Sequence, residues 1–194
     1  MEVELPNKKY KIILADPPWT YDSGFLKRNW EGKYNQMGID KICELPINSI
    51  ADKDCVLFLW VTFPKLLQGL KVIESWGFKY KSCAFIWIKK NKKTNSLFWG
   101  MGFWTRANAE LCLIATKGNP KRISKSVHSI IESKIQEHSK KPDEVRDRIV
   151  KLLGDIPRIE LFAREKVKGW DSWGNEVPKE EQKELLNSLG EKEQ

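Results

Sequence analysis

A carboxylate, two prolines and an aromatic residue follow one another at Asp16, Pro17, Pro18 and Trp19. Together they can grip a planar ring that carries an amino group. The Asp16 carboxylate and the Pro17 carbonyl can each accept a hydrogen bond from an exocyclic NH2, while Trp19 or Tyr21 covers the ring face. Proline suits the position because it fixes φ and brings no N–H to compete for the acceptors. The same four residues also suit a plain turn that closes a strand. Their location argues for chemistry, because ligands of open α/β sheets lie outside the carboxyl ends of strands.

The strand in question is the apolar run Lys11–Ala15. Further strand-length apolar runs follow at Asp54–Val61, Tyr80–Ile88, Glu110–Thr116 and Arg158–Ala163. Between them, Phe63–Trp76 has helical spacing through Leu66, Leu67, Leu70, Val72 and Ile73, closed by Gly77. Pro142 opens a second helix, with an acidic first turn at Asp143 and Glu144 and an apolar face of Val145, Ile149, Leu152 and Leu153. Strands that are apolar throughout and alternate with helices predict an α/β fold: a mostly parallel central sheet with helices on both faces. The 194 residues suit one domain, taken as 1–177, followed by a charged helical tail at 178–194 with Leu185, Leu186 and Leu189 on one face.

Three irregular stretches, Thr20–Gln36, Lys89–Arg106 and Ile123–Lys141, are long for connections without a function. They set Trp30, Tyr34, Phe98, Trp99, Phe103 and Trp104 among lysines and arginines, Lys89 and Lys90 included. Such a mixture serves base stacking and phosphate contact, and the patch from Phe98 to Trp104 can also meet a protein partner. The net charge of +8 becomes a surplus of ten once the acidic tail is set aside, which favours a polyanion. Hydride transfer and nucleotide hydrolysis lose their usual support, since neither G-x-G-x-x-G nor G-x-x-x-x-G-K-[ST] occurs. His128 and His138 are too isolated to suggest a metal site, and Cys43, Cys55, Cys83 and Cys112 are too scattered for a C-x-x-C pair. Reduced thiols, a charged N-terminus and no apolar run near the ~18 residues of a membrane span lead us to expect a soluble, cytoplasmic protein with no membrane partner.

Taken in order, several segments resemble the adenine N6-methyltransferases, the family of the eukaryotic messenger-RNA methyladenosine writer's catalytic subunit and of bacterial and phage DNA enzymes. The segments are Asp16-Pro17-Pro18-Trp19, Tyr34 with Met37, Leu57–Thr62, Lys117-Gly118-Asn119-Pro120, Lys141–Glu144, Ile159–Arg164 and Gly174-Asn175-Glu176. The resemblance covers about residues 10–177. It implies a class I, Rossmann-like methyltransferase sheet in permuted order, with the catalytic motif ahead of the cofactor motif. It also implies S-adenosylmethionine as cofactor, methyl transfer to N6 of adenine, and DNA as the substrate, with RNA as the alternative. By the same resemblance Lys141 pairs with the methionine carboxylate, Glu160, Phe162 and Arg164 lie beside the ribose, and Asn175 with Glu176 holds the adenine. Asp16 lies near both the cofactor and the target amine, which Pro17, Pro18 and Trp19 help to frame. Tyr21, Tyr34, Trp104, Lys89 and Lys90 are the expected substrate contacts.

Overall fold

The computed structural model describes residues 4–21, 36–102, 104–137, 140–175 and 177. Tyr34, Phe103, His138, Glu176 and the tail from 178 lie outside them. Seven strands form one sheet: β1 (Tyr10–Ala15), β2 (Ala51–Val61), β3 (Lys79–Lys90), β4 (Glu110–Lys117), β5 (Ile130–Lys134), β6 (Arg158–Leu161) and β7 (Asp171–Trp173). Across the sheet they stand in the order β5-β3-β4-β2-β1-β6-β7. The sheet is mixed: β1 runs parallel to β2 and β6, β3 to β5 and β6 to β7, while β4 is antiparallel to both its neighbours. Its reversal has a simple cause. The 91–109 connection contains no crossover helix among its described residues, so the chain leaves β3 and returns at the same rim.

Helices cover both faces, as the sequence predicts. On one face, Ile13, Ala15, Leu57, Leu59, Val61, Leu113 and Ala115 pack with Ile42 of α1 (Ile39–Glu44), Ile47 and Ile50 of α2 (Ile47–Ile50), and Val72, Ile73 and the adjoining Trp76 of α3 (Leu66–Ser75). On the other, Ile12, Leu14, Val56, Phe58, Trp60, Phe85 and Cys112 pack with Val145, Ile149 and Leu153 of α4 (Glu144–Leu153). Successive residues of β1 and β2 thus feed opposite faces, the period of two that makes a fully covered strand apolar throughout. Gly77, at φ 81°, ends α3 as its sequence suggests. The four cysteines are free thiols, with Cys55 and Cys112 buried in β2 and β4. Among the described residues, no helix is long and apolar enough to cross a membrane.

Two expectations change. Part of the stretch read as irregular, Ile123–Lys141, forms the edge strand β5, whose five residues bury only Ile131. The short elements α1, α2 and β7 were not anticipated either, because six, four and three residues are too few to establish a period.

Trp76 fastens the helices of the first face together. It is fully buried, and its Nε1 donates to the Ile42 carbonyl of α1 at 2.8 Å. Trp76→Ala is expected to cost about 3–5 kcal/mol, whereas Trp76→Phe should keep much of the packing and cost less. Urea unfolding of the two variants against wild type measures the difference.

Candidate active site

Ala15 of β1 and Leu161 of β6 are register partners, so the next residues, Asp16 and Phe162, emerge side by side beyond the carboxyl ends of their strands. From β1 the chain proceeds to β2 on one side, and from β6 to β7 on the other. That divergence is the switch point at which α/β sheets hold ligands. The reversed strand adds a residue to the same rim. Glu110, the first residue of β4, lies opposite Trp87 of β3, and its neighbour Leu111 lies opposite Val61 at the end of β2. The segment leading into α4 contributes Lys141.

These residues form a chain of alternating charge. Lys141 Nζ lies 2.7 Å from Asp16 Oδ2 and 3.3 Å from Glu110 Oε2, and the second Glu110 oxygen, Oε1, takes Lys89 Nζ at 2.5 Å. Both ammonium groups also sit over indole rings, Lys141 over Trp60 at 5.7 Å and Lys89 over Trp87 at 5.0 Å. Burial pushes the Asp16 carboxyl above its ordinary range, and the Lys141 charge offsets only part of that. Burial also works to raise Glu110, but Lys141 and Lys89 together overcome it and hold Glu110 below its ordinary range. For Lys141, desolvation favours the neutral amine, yet its two carboxylate partners keep it charged, with a raised pKa.

The tetrapeptide after β1 divides into two parts. Asp16 keeps 29% of its side chain exposed, and Oδ1 has no hydrogen-bond partner among the described residues. Pro17 accepts a hydrogen bond from Trp19 N–H at 2.9 Å, which leaves its carbonyl one further lone pair. Pro18 accepts from Met37 N–H at 2.9 Å. Trp19 departs from the expectation of a ring cover. Its indole is buried in the core, and its Nε1 donates to the Trp60 carbonyl at 3.2 Å, so it rivets the turn to β2. Tyr21 is only half-buried, shares a 2.7 Å hydrogen bond with the Thr62 hydroxyl, and has Lys65 Nζ 5.2 Å from its ring centre. It also lies close enough to Asp16 to feel its charge.

Across the switch point, Phe162 adopts φ 60°, a left-handed conformation that a bulky residue rarely takes. Its ring meets Trp173 edge-on at 5.5 Å, and Ala163 N–H donates to the Trp173 carbonyl at 3.0 Å. Gly174 lets the turns after β6 and β7 touch, since a Cβ there would lie 2.4 Å from the Ala163 carbonyl oxygen. Glu160 is clasped by Arg146 through two hydrogen bonds, Nε to Oε2 at 2.7 Å and Nη2 to Oε1 at 3.1 Å. Arg164 is solvent-exposed and close enough to favour the ionised form of Asp16. Asn175, also exposed, lines an open cavity of about 510 Å³ with Gln36, Met37, Gly38, Asp40 and Lys41.

The expected substrate contacts are less uniform. Trp104 is 99% exposed, on a loop whose base is pinned by Asn108: its Oδ1 accepts from Lys89 N–H, and its Nδ2 donates to the Lys89 and Phe98 carbonyls. Lys89 turns inward to Glu110, and Lys90 pairs with Glu132 at 2.6 Å, so both lysines are already committed to carboxylates. Tyr34 and Glu176 lie outside the described residues. Glu110 and Arg146 escaped the sequence reading. A carboxylate opening the otherwise apolar run of β4 was the available signal for Glu110, and for Arg146 there was none beyond its place on the polar side of α4.

Gly174→Ala should force the two turns apart. The expected loss is about 2 kcal/mol, or roughly 4–8 °C in Tm for a chain of this size, read by a thermal melt.

The MT-A70 family matches residues 10–176. The chain is 35% identical to the Type II methyltransferase M.MunI of a Mycoplasma species, over 90% of this chain and 81% of that protein. It is 31% identical to an Arabidopsis thaliana N(6)-adenosine-methyltransferase MT-A70-like protein over 87% of this chain and 24% of that one. With METTL3, the catalytic subunit of the Homo sapiens N(6)-adenosine-methyltransferase, the identity is 30% over 87% of this chain and 28% of the subunit. The chain thus spans about a quarter of the length of these two eukaryotic relatives. Because the match takes in both the Asp16 turn and the paired turns after β6 and β7, the chain is a member of the MT-A70 family of methyltransferases.

Proposed function

We propose that this protein is an S-adenosylmethionine-dependent methyltransferase that modifies N6 of adenine in DNA. The observation that carries the reading is the Asp16 carboxylate, held through Oδ2 by Lys141 at the switch point, with Oδ1 left to accept a further hydrogen bond. The sheet order supports a class I methyltransferase fold in permuted order. In that reading β6 and β7, at the end of the domain, form the cofactor half, while β1 and β2, at its beginning, form the catalytic half.

The side chains at hand fit this cofactor. Lys141, which also pairs with Asp16 and Glu110, is a cation suited to the methionine carboxylate, Glu160, Phe162 and Arg164 surround the end of β6 where the ribose would lie, and Asn175 offers donor and acceptor to a purine edge beside an open cavity. When bound, S-adenosylmethionine supplies an electrophilic methyl on a sulfonium. The residues of the chain do the rest by orientation. Asp16 Oδ1 and the Pro17 carbonyl accept the two N–H hydrogens of the adenine amine, which draws the nitrogen lone pair out of conjugation and aims it at the methyl. Alignment of this kind supplies up to ~7–11 kcal/mol. Tyr21 flanks the base, which has to leave a duplex stack at a cost of a few kcal/mol. Trp104, Tyr34 and the basic loops are assigned to the nucleic acid. DNA is favoured because the chain covers most of the length of the Type II methyltransferase it resembles. The relatives named N(6)-adenosine-methyltransferases make RNA the second reading.

Incubation with labelled cofactor and duplex DNA, single-stranded DNA or RNA tests this directly. Label is expected in N6-methyladenine of DNA, and label in RNA alone would overturn the substrate. Asp16→Ala should lower kcat by roughly 10²-fold or more while DNA binding stays within about twofold. Tight DNA binding with no transfer by wild type would instead mark a non-catalytic subunit. The pH profile follows from Asp16. A carboxylate raised by burial is the first to protonate on acidification, so the acid limb of kcat should lie above the ordinary aspartate range.

A further inference from the structure

The geometry points to Glu110 and Lys89 as positioning residues for the methyl transfer: Glu110, anchored by Lys89, fixes the Lys141 ammonium and thereby sets the orientation and basicity of Asp16. The inference rests on the methyl-transfer reading above and extends it to two residues that do not touch the substrate.

The starting point is a surplus of buried charge. Asp16 and Lys141 already neutralise one another, so neutrality does not call for a second pair. Yet Glu110, 9% exposed in its side chain, is set against Lys141, and Lys89, 18% exposed, against Glu110. Both additional charges stand at the same rim because β4 is reversed and brings its first residue beside the ends of β2 and β3. Lys89 cannot wander, since Asn108 holds both its backbone N–H and its carbonyl while the ammonium is drawn to Glu110. With Lys141 gripped by two carboxylates at 2.7 and 3.3 Å, Asp16 Oδ2 is fixed, which leaves Oδ1 for the amine of the proposed substrate.

The basicity of Asp16 matters after the methyl moves. The nitrogen lone pair forms the N–C bond as the S–C electron pair passes to sulfur, and the amine is left cationic with two protons. One of these goes to Asp16, and the N–H electron pair returns to nitrogen. The groups acting on Asp16 are Lys141, Glu110 and Arg164; Glu160, Tyr21 and Cys112 also feel its charge. Among them the negative charge of Glu110 makes Asp16 the better proton acceptor, and Lys89 keeps Glu110 ionised.

Loss of either residue should therefore shift Asp16 in the same direction. Glu110→Gln is expected to lower kcat by roughly tenfold or more and to move the acid limb of its pH profile to lower pH, with KM for DNA within about twofold of wild type. Lys89→Met makes Glu110 easier to protonate, weakens its pull on Asp16 and should move the limb the same way by less, and Lys89→Arg should restore it. If Glu110→Gln fails to fold, the double variant Lys89→Gln/Glu110→Gln, which leaves neither charge unpaired, should show the downward shift. The Asp16 carboxyl followed by 13C NMR reads the same displacements without turnover. Parallel losses of activity with an unmoved limb and unmoved Asp16 resonance would overturn this inference and leave the proposed function standing. Coupled NMR shifts in a wild-type protein that transfers no methyl to DNA or RNA would overturn the proposed function and, with it, the positioning role.

Discussion

Lys141 and Asp16 are 125 residues apart in sequence and meet at 2.7 Å. This ion pair joins the end of β1 to the segment that precedes α4, and most of the rim is arranged around it. The Asp16 turn is held by Trp19 on the core side, and the switch point opens between β1 and β6 next to it. Two largely buried charges in a region of low dielectric attract strongly, but desolvation takes back much of that attraction. Such a pair is better understood as fixing a geometry than as adding stability.

The turns after β6 and β7 are brought together by backbone crowding. Phe162 in a left-handed conformation and Gly174 pressed against Ala163 bring the ends of β6 and β7 into contact. Strain of that kind persists only where surrounding contacts fix it, here the edge-on packing of Phe162 on Trp173 and the bond from Ala163 to the Trp173 carbonyl. The two sides of the switch point are therefore made of different materials: a charged array on one side and a shaped turn on the other.

Much of this was legible in the sequence because it is local. Lys11–Ala15 is an apolar run that ends at Asp16-Pro17, and its length and its stop both belong to the strand itself. The α4 face of Val145, Ile149 and Leu153 follows from helical spacing in the same way. What stayed hidden depends on distant partners. The face on which the Trp19 indole lies is decided by the Trp60 carbonyl, and the direction of β4 by a connection that has no crossover helix among its described residues. Glu110 and Lys89 face each other only because of that direction, so the same lysine that reads as a phosphate contact in sequence becomes part of the buried array. The edge strand β5 has one buried side chain and gives a pattern no different from a loop.

The reversed strand has a consequence for how this chain can drift. Lys89, Glu110, Lys141 and Asp16 sum to zero charge, and loss of any one leaves a neighbour ionised without its counterpart in a poorly hydrated place. Neutral exchange at these four positions is thus blocked one step at a time. Descendants that abandon the array should do so by paired replacement, with position 89 changing together with position 110, so that the two behave across lineages as a single heritable character.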